Sequence, residues 1–239
     1  MFSQSLNAAI IDLDGTMVDT MGDFVVAINL MLGDLGFAPV DRSVVALRVG
    51  KGSENLVNSV LNHALANVNS AQTAPESIAL LGRAIASYQQ HYRAINGQHA
   101  AVYPGVIDGL HELQKLGLKL ACLTNKPVGF ALELLKSKGL DGFFSHVFGG
   151  DSFAAKKPDP LPVLQTCKAL GTLPDQSLMI GDSSNDALAA RAAGCPVLLV
   201  TYGYNHGLPI RGVAANGFLN SMTEIDEQLL RTLCPTTRL

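Results

Sequence analysis

The chain has 239 residues, 48% of them hydrophobic, and carries 17 basic and 20 acidic side chains for a net charge of −3. That is enough to bury one large core or two modest ones, and the lack of any basic run argues against nucleic acid as a partner. No stretch approaches the ~18 uninterrupted apolar residues of a membrane span, and the opening MFSQSLNAAI lacks the basic and long apolar regions of a secretory signal. Cys122, Cys167, Cys195 and Cys234 are widely spaced with no CxxC, and the six His show no ligand spacing. Neither a zinc knuckle nor a disulfide framework is expected, and a soluble, reduced, cytoplasmic protein fits.

Residues 8–20, AAIIDLDGTMVDT, open the pattern. The uncharged run 8–11, ended by the turn signal Gly15-Thr16, predicts a buried strand of a parallel sheet. Ligands of such sheets sit outside the carboxyl ends of the strands, where Asp12 emerges with Asp14 two residues on. Two carboxylates so close and partly desolvated call for a cation, whereas a lone Asp there is often only a helix cap. Next, Phe24, Val25, Ile28, Leu32 and Leu35 recur at helical spacing, and Gly36 closes the stretch. Leu56, Val57, Val60, Leu61, Ala64 and Leu65 form a second stripe. Ile78, Leu81, Ile85, Tyr88, Tyr92 and Ile95 form a third, set off by polar residues 67–73. Residues 21–96 are thus predicted to be all helical, the stripes being core faces of a small bundle.

From Tyr103 strands and helices alternate. A helix opens at Pro104-Gly105 and ends at Gly117, and a strand over 118–123 runs into Thr124-Asn125-Lys126-Pro127. A helix over 128–138, a strand over 146–148, a loop over 149–158 and a helix over 160–170 follow. The strand 177–180 then ends in Gly181-Asp182-Ser183-Ser184-Asn185-Asp186. A helix over 187–193, strands over 195–200 and 217–219 and a helix from Thr223 complete the chain. The alternation predicts an α/β fold, a Rossmann-like doubly wound parallel sheet. Residues 1–20 and 97–239 would form its core, and 21–96 an inserted all-helical cap. No internal repeat or low-complexity segment interrupts it.

Polar chemistry recurs at the strand ends. Thr124-Asn125-Lys126 offers a hydroxyl, an amide and backbone N–H groups that can hold phosphate oxygens without adding negative charge, though the same residues also make ordinary turns. Lys156 and Lys157 precede Pro158 in a loop. Asp182 and Asp186 add two carboxylates with no neighbouring base. Carboxylates from two separate strands suit a hard, oxygen-seeking cation such as Mg²⁺. A helix-capping turn accounts for one of the two, but not for both together with the first pair.

Asp12-Leu13-Asp14-Gly15-Thr16 resembles the first signature of the haloacid-dehalogenase-like phosphohydrolases, and Thr124, Lys157-Pro158 and Gly181–Asp186 resemble the others in order. The resemblance implies that Asp12 is the nucleophile and Asp14 the general acid/base, its backbone carbonyl helping to bind Mg²⁺. It makes Thr124 and Asn125 phosphoryl contacts and Lys157 the neutralising cation, leaving Lys156 to solvent. Asp12, Asp14 and Asp182 would hold the metal, with Asp186 auxiliary. Within the family, Val49-Gly50-Lys51-Gly52, Gly149-Gly150-Asp151-Ser152 and Thr201-Tyr202-Gly203-Tyr204-Asn205 resemble phosphoglycolate phosphatases. Their insert usually reads Trp-(Val/Ile)-Gly-Asn-Gly, and here Arg48 and Lys51 stand at the Trp and Asn positions. Arg48 and Lys51 are therefore candidate substrate-binding residues. The implied activity is Mg²⁺-dependent hydrolysis of a small phosphorylated metabolite, such as 2-phosphoglycolate, through an aspartyl-phosphate, by a monomer or homodimer without nucleic-acid or membrane partners. Another phosphomonoester substrate, a sugar-phosphate mutase and a catalytically idle binding protein are the alternatives; true dehalogenases lack the Asp at position 14.

Overall fold

The computed structural model describes residues 5–67 and 74–233, so Cys234 and most of the polar separator at 67–73 lie outside the described residues. Strand β1 (Ala8–Ile11) is buried throughout. After the loop carrying Asp12 and Asp14, β2 (Val18–Asp19) pairs antiparallel with β3 (Ala101–Val102). Between these two strands the chain forms helices α1 (Met21–Asp34), α2 (Arg42–Ala46), α3 (Ser53–Asn67) and α4 (Ala74–Ile95). The ribbon and α2 have no counterpart in the sequence reading, because two-residue strands show no alternation and a five-residue helix no stripe. Beyond β3 run α5 (Val106–Lys115), β4 (Lys119–Leu123), α6 (Val128–Ser137) and β5 (His146–Phe148). Helix α7 (Leu161–Leu170), β6 (Ser177–Gly181), α8 (Ser184–Ala193), β7 (Val197–Val200), β8 (Gly217–Leu219) and α9 (Glu227–Leu233) follow. Several predicted boundaries shift: α8, for one, begins at Ser184 rather than 187, where Ser183 and Asp186 form a capping box. Strand β7 starts at Val197 because the Cys195 N–H closes α8 onto the Ala190 carbonyl, and a 3-10 turn at Met222–Glu224 precedes α9.

The large sheet has the order β5-β4-β1-β6-β7-β8, with every pair parallel. Strand β1 is central and lies at the point where the winding reverses, the usual ligand crevice of such sheets. A parallel sheet must bury both faces, and alternation sorts the residues between them. Ala9 and Ile11 join Leu120, Cys122, Leu178 and Ile180 in one cluster with Leu110, Leu134 and Leu230 from α5, α6 and α9. Ala8 and Ile10 join Ala121, Leu123 and Met179 in another, with Val163 and Ala190 from α7 and α8. The register pairs Ile11 with both Cys122 and Ile180, so the ends of β1, β4 and β6 open at one level.

The helical insert has its own apolar cluster. Phe24, Ile28, Leu32, Leu56, Val60, Tyr88 and Tyr92 meet there, as the helical stripes predict. Ile78 does not; it is 72% exposed, near the start of α4. Asp23, fully buried in α1, accepts hydrogen bonds from the backbone of Gly97 and His99, each at 2.7 Å. These bonds tie the insert's first helix to the segment that returns to the sheet. Among the described residues no helix is long and apolar enough to cross a membrane. Cys167 and Cys195, distant in sequence, come to 3.8 Å between sulfurs as free, buried thiols.

Ile10 is fully buried in the central strand, so Ile10→Ala is expected to cost about 2–5 kcal/mol for the lost apolar contacts and the cavity left behind. Urea unfolding should show a lower midpoint with an unchanged slope; a loss below about 1 kcal/mol would contradict this packing.

Candidate active site

Asp12 leaves the sheet directly after Ile11, its backbone N–H still bonded to the Ile180 carbonyl at 2.9 Å. The strand therefore fixes where this carboxylate points. Gly15, three residues on, has φ +85°, and a Cβ there would stand 2.1 Å from the Asp182 carboxylate, so only glycine lets the loop pass. At the end of β6, Asp182 and Asp186 enter the same space. Oxygens of Asp12, Asp182 and Asp186 lie within 4.8 Å of one another, and all three residues are buried.

Lys157 holds this cluster together. Its ammonium donates to the Leu123 carbonyl at 2.8 Å and to Asp186 at 2.6 Å, and lies 2.8 Å from Asp12 Oδ1. Burial pulls its pKa down, but Asp12 and Asp186 outweigh that and push it above the ordinary lysine range. Asp186 is fully committed. One oxygen takes Lys157, and the other accepts from Ser183 Oγ and the backbone N–H groups of Asp182 and Ser183. Both its oxygens are thus taken up by neighbouring donors. Asp182 accepts from Thr16 Oγ1 at 3.4 Å and from the Tyr204 backbone N–H. Lys156, in contrast, is exposed.

The residues fit a divalent cation. Asp12 Oδ1 is buried with the Lys157 ammonium beside it and no other donor in reach. Burial, together with Asp186 and Asp14 and against the pull of Lys157, pushes the Asp12 carboxyl up to about 7, and burial with Asp186 and Asp12 raises Asp182 well above the carboxylate range. Among the described residues Asp12, Asp14, Asp182 and Asp186 face two buried ammoniums, those of Lys157 and Lys126, which leaves an imbalance of two charges when all are ionised. A double positive charge restores the balance.

Thr124 and Asn125 are both buried at the end of β4. Thr124 lines the same cavity as Asp12. Asn125 does something other than predicted. Its amide donates to the Lys157 carbonyl at 2.8 Å and to the Gly50 carbonyl at 3.0 Å, while its oxygen accepts from the Lys157 N–H at 3.0 Å. It braces the lysine loop and clasps the insert, leaving no amide hydrogen for a phosphoryl oxygen. Asn185 donates to the same Gly50 carbonyl at 3.1 Å. Arg48 and Lys51 are not brought to the site. Arg48 bonds the Val44 and Ser59 carbonyls inside the insert, Lys51 is exposed, and neither lines the cavity. Gly149–Ser152 is also structural: Asp151 accepts from the Val128 N–H at the start of α6, and Ser152 from the Gly149 N–H.

Three contributions escape the sequence reading. Lys126 pairs its side chain with Asp14, at 2.8 and 3.1 Å, where only its backbone was expected to matter. The Tyr204 hydroxyl bonds Asp19 and accepts from the Met21 N–H, bracing the start of the insert. Tyr202 donates to the Thr16 carbonyl at 2.9 Å. The tyrosine string was distinctive in sequence, but its partners lie more than 180 residues away. Beside Asp12 and Asp14 the insert contributes an apolar wall of Phe24, Leu56, Tyr88 and Tyr92, and Phe130 of α6 completes it.

Buried carboxylates and a lysine at the switch point of a doubly wound sheet, roofed by apolar helices, define an acid-rich enzyme site. The family model of the haloacid dehalogenase-like hydrolases matches residues 9–200. A phosphoglycolate phosphatase of Thiobacillus denitrificans is 40% identical over 223 residues, covering 93% of this chain and 95% of its own. A plasmid-borne phosphoglycolate phosphatase of Cupriavidus necator is 44% identical over 197 residues, covering 82% and 81%. A crystal structure of a predicted phosphoglycolate phosphatase from Haemophilus somnus superposes with a TM-score of 0.86 at 30% identity, covering 92% and 96%. The chain belongs to the haloacid dehalogenase-like hydrolases.

The raised pKa of Asp12 predicts a stability signature. The folded carboxyl holds its proton more tightly than the ordinary value of 3.8, so its contribution to folding is full below about pH 4 and lost as pH rises through about 7. In metal-free buffer Asp12→Asn should therefore raise Tm by about 2–8 °C at pH 8, with the gain shrinking towards pH 4. Added Mg²⁺ should narrow the gap by stabilising the wild type, as thermal unfolding would report. A pH-independent difference would contradict the charge account.

Proposed function

We propose that the protein is a Mg²⁺-dependent phosphomonoesterase that works through a covalent phosphoenzyme on Asp12, with 2-phosphoglycolate as its substrate. The observation that carries the reading is the placement of Asp12, strand-fixed, buried and beside Lys157, with Asp14 two residues on at the cavity mouth. The substrate is carried over from relatives named for phosphoglycolate at 40–44% identity over most of the chain.

The Asp12 carboxylate attacks phosphorus, and the bond from phosphorus to the ester oxygen breaks. Asp14, less buried than Asp12, gives its proton to the departing alkoxide. Asp14 then takes a proton from water as the water oxygen attacks phosphorus and the bond to Asp12 breaks. Phosphate and the alcohol are released, and both carboxyls return to their starting state. Lys157 offsets negative charge on Asp12 and the incoming phosphoryl, and Thr124 offers its hydroxyl to the phosphoryl oxygens. Asp12, Asp182 and the Asp14 backbone carbonyl would hold Mg²⁺, which would supply charge neutralisation between nucleophile and phosphate. The apolar roof excludes water, which protects an acyl phosphate and strengthens each charge contact. Free, buried thiols at Cys122, Cys167 and Cys195 fit a reducing compartment such as the cytoplasm.

Asp12→Asn should fold and lose about three orders of magnitude or more in kcat, while near-normal turnover would remove Asp12 as nucleophile. Asp14→Asn should be slowed far more on an alkyl phosphate than on p-nitrophenyl phosphate, whose leaving group needs no proton. Chelation should abolish turnover and Mg²⁺ restore it, with Ca²⁺ a poor replacement because its looser coordination misplaces the reacting groups. Full activity after exhaustive chelation would refute the metal requirement.

A further inference from the structure

Lys126 is the second buried cation of the site, and the chemistry above leaves it without a task. Its side chain is 3% exposed. The ammonium lies 4.9 Å from the ring centroids of both Phe24 and Tyr92, and it contacts both oxygens of Asp14. The rings come from α1 and α4 of the insert, the lysine from the loop after β4, so one cation spans the join. Two ring faces attract an ammonium and fix its place. They do not replace a counter-charge, and a buried lysine without one is costly. Asp14 supplies it.

The surroundings single this cation out. Only Lys126 and Lys157 among the described basic side chains line the cavity. Lys157 lies at the floor, held by Asp12, Asp186 and the Leu123 carbonyl. The insert lines the cavity with Phe24, Leu56, Tyr88 and Tyr92 and with no basic side chain, so a second anionic group on a substrate finds its buried partner in Lys126. Position narrows the chemistry further. A group protonated by Asp14 must come within about 2.6–3.2 Å of that carboxyl, and Lys126 already touches the same carboxyl. A carboxylate borne on the carbon next to the ester oxygen therefore falls within reach of the ammonium.

We infer that Lys126 is the specificity-determining residue of this site, receiving the carboxylate of a phosphorylated 2-hydroxy acid in exchange for Asp14. The inference rests on the phosphomonoesterase reading above. In the free site Asp14 neutralises the ammonium. When the substrate carboxylate takes that place, Asp14 is freed from the ammonium. An uncharged alkyl group makes no such exchange and leaves Asp14 on the lysine. Selectivity then comes from a charge already buried and waiting.

The test compares 2-phosphoglycolate with n-propyl phosphate, which keeps the size and loses the carboxylate. Wild type should favour 2-phosphoglycolate in kcat/KM, and Lys126→Met should cut the ratio of the two values roughly ten- to a hundredfold, as for loss of a charge-assisted hydrogen bond. Lys126→Arg, which keeps the cation, should retain most of the ratio and controls for folding. A ratio within about twofold of wild type in Lys126→Met overturns the inference, because the lysine would then act through Asp14 alone. Dissociation constants of both esters, measured by calorimetry on Asp12→Asn with and without Lys126→Met, give the same comparison without turnover. A carboxylate preference in binding that vanishes with Lys126→Met, in a wild type that hydrolyses neither ester, would sustain the inference and refute the phosphatase reading. No binding preference in either background would overturn the inference, whatever the turnover.

Discussion

The rest of the site depends on the shared pair of contacts that Lys157 makes with Asp12 and Asp186. Two strand ends bring carboxylates into one buried space, where each would otherwise raise the others' pKa until the site was protonated. One ammonium, anchored on the Leu123 carbonyl and paired with Asp12 and Asp186, lets them coexist. Its position is set in turn by Asn125, which bonds the Lys157 backbone on both sides. Removing a buried partner of this kind leaves an uncompensated charge, so the arrangement is held as a unit rather than residue by residue.

That constraint also explains how the insert and the sheet are joined. The Asn125 amide that braces the lysine loop continues to the Gly50 carbonyl, which Asn185 also grips. Gly50 has φ +111°, a conformation open mainly to glycine, which turns that carbonyl towards the strand ends. On the other side Lys126 links Asp14 to the rings of α1 and α4. Loops that carry charge at the floor thus also hold the apolar roof. Water exclusion and charge placement are two results of one set of bonds.

Much of this was legible in the sequence. Short apolar runs ending in Asp12, Thr124 and Asp182 are local signals, and alternation with helical stripes gave the parallel sheet and its insertion point. The pairing of Lys157 with Asp12 agrees with the motif order. What did not show were side-chain destinations set by distant packing. Arg48 and Lys51 neighbour Gly50 in sequence, yet one turns back onto carbonyls of the insert and the other faces water. Asn125 was expected on phosphate and instead joins two loops. Lys126 sat in plain view inside a quoted string, but its partners Asp14, Phe24 and Tyr92 are 34 to 112 positions away in chain order. The β2–β3 ribbon and the Cys167–Cys195 contact are long-range features of the same kind.

The proposed chemistry is two displacements at phosphorus, first by Asp12 and then by water, and stereochemistry reports their number directly. A phosphorothioate ester made chiral with ¹⁸O, hydrolysed in ¹⁷O-water, yields inorganic thiophosphate whose configuration can be read. Two in-line steps, each inverting, predict net retention at phosphorus. Net inversion would mean that water attacks the substrate in a single step, and would contradict a phosphoenzyme on Asp12.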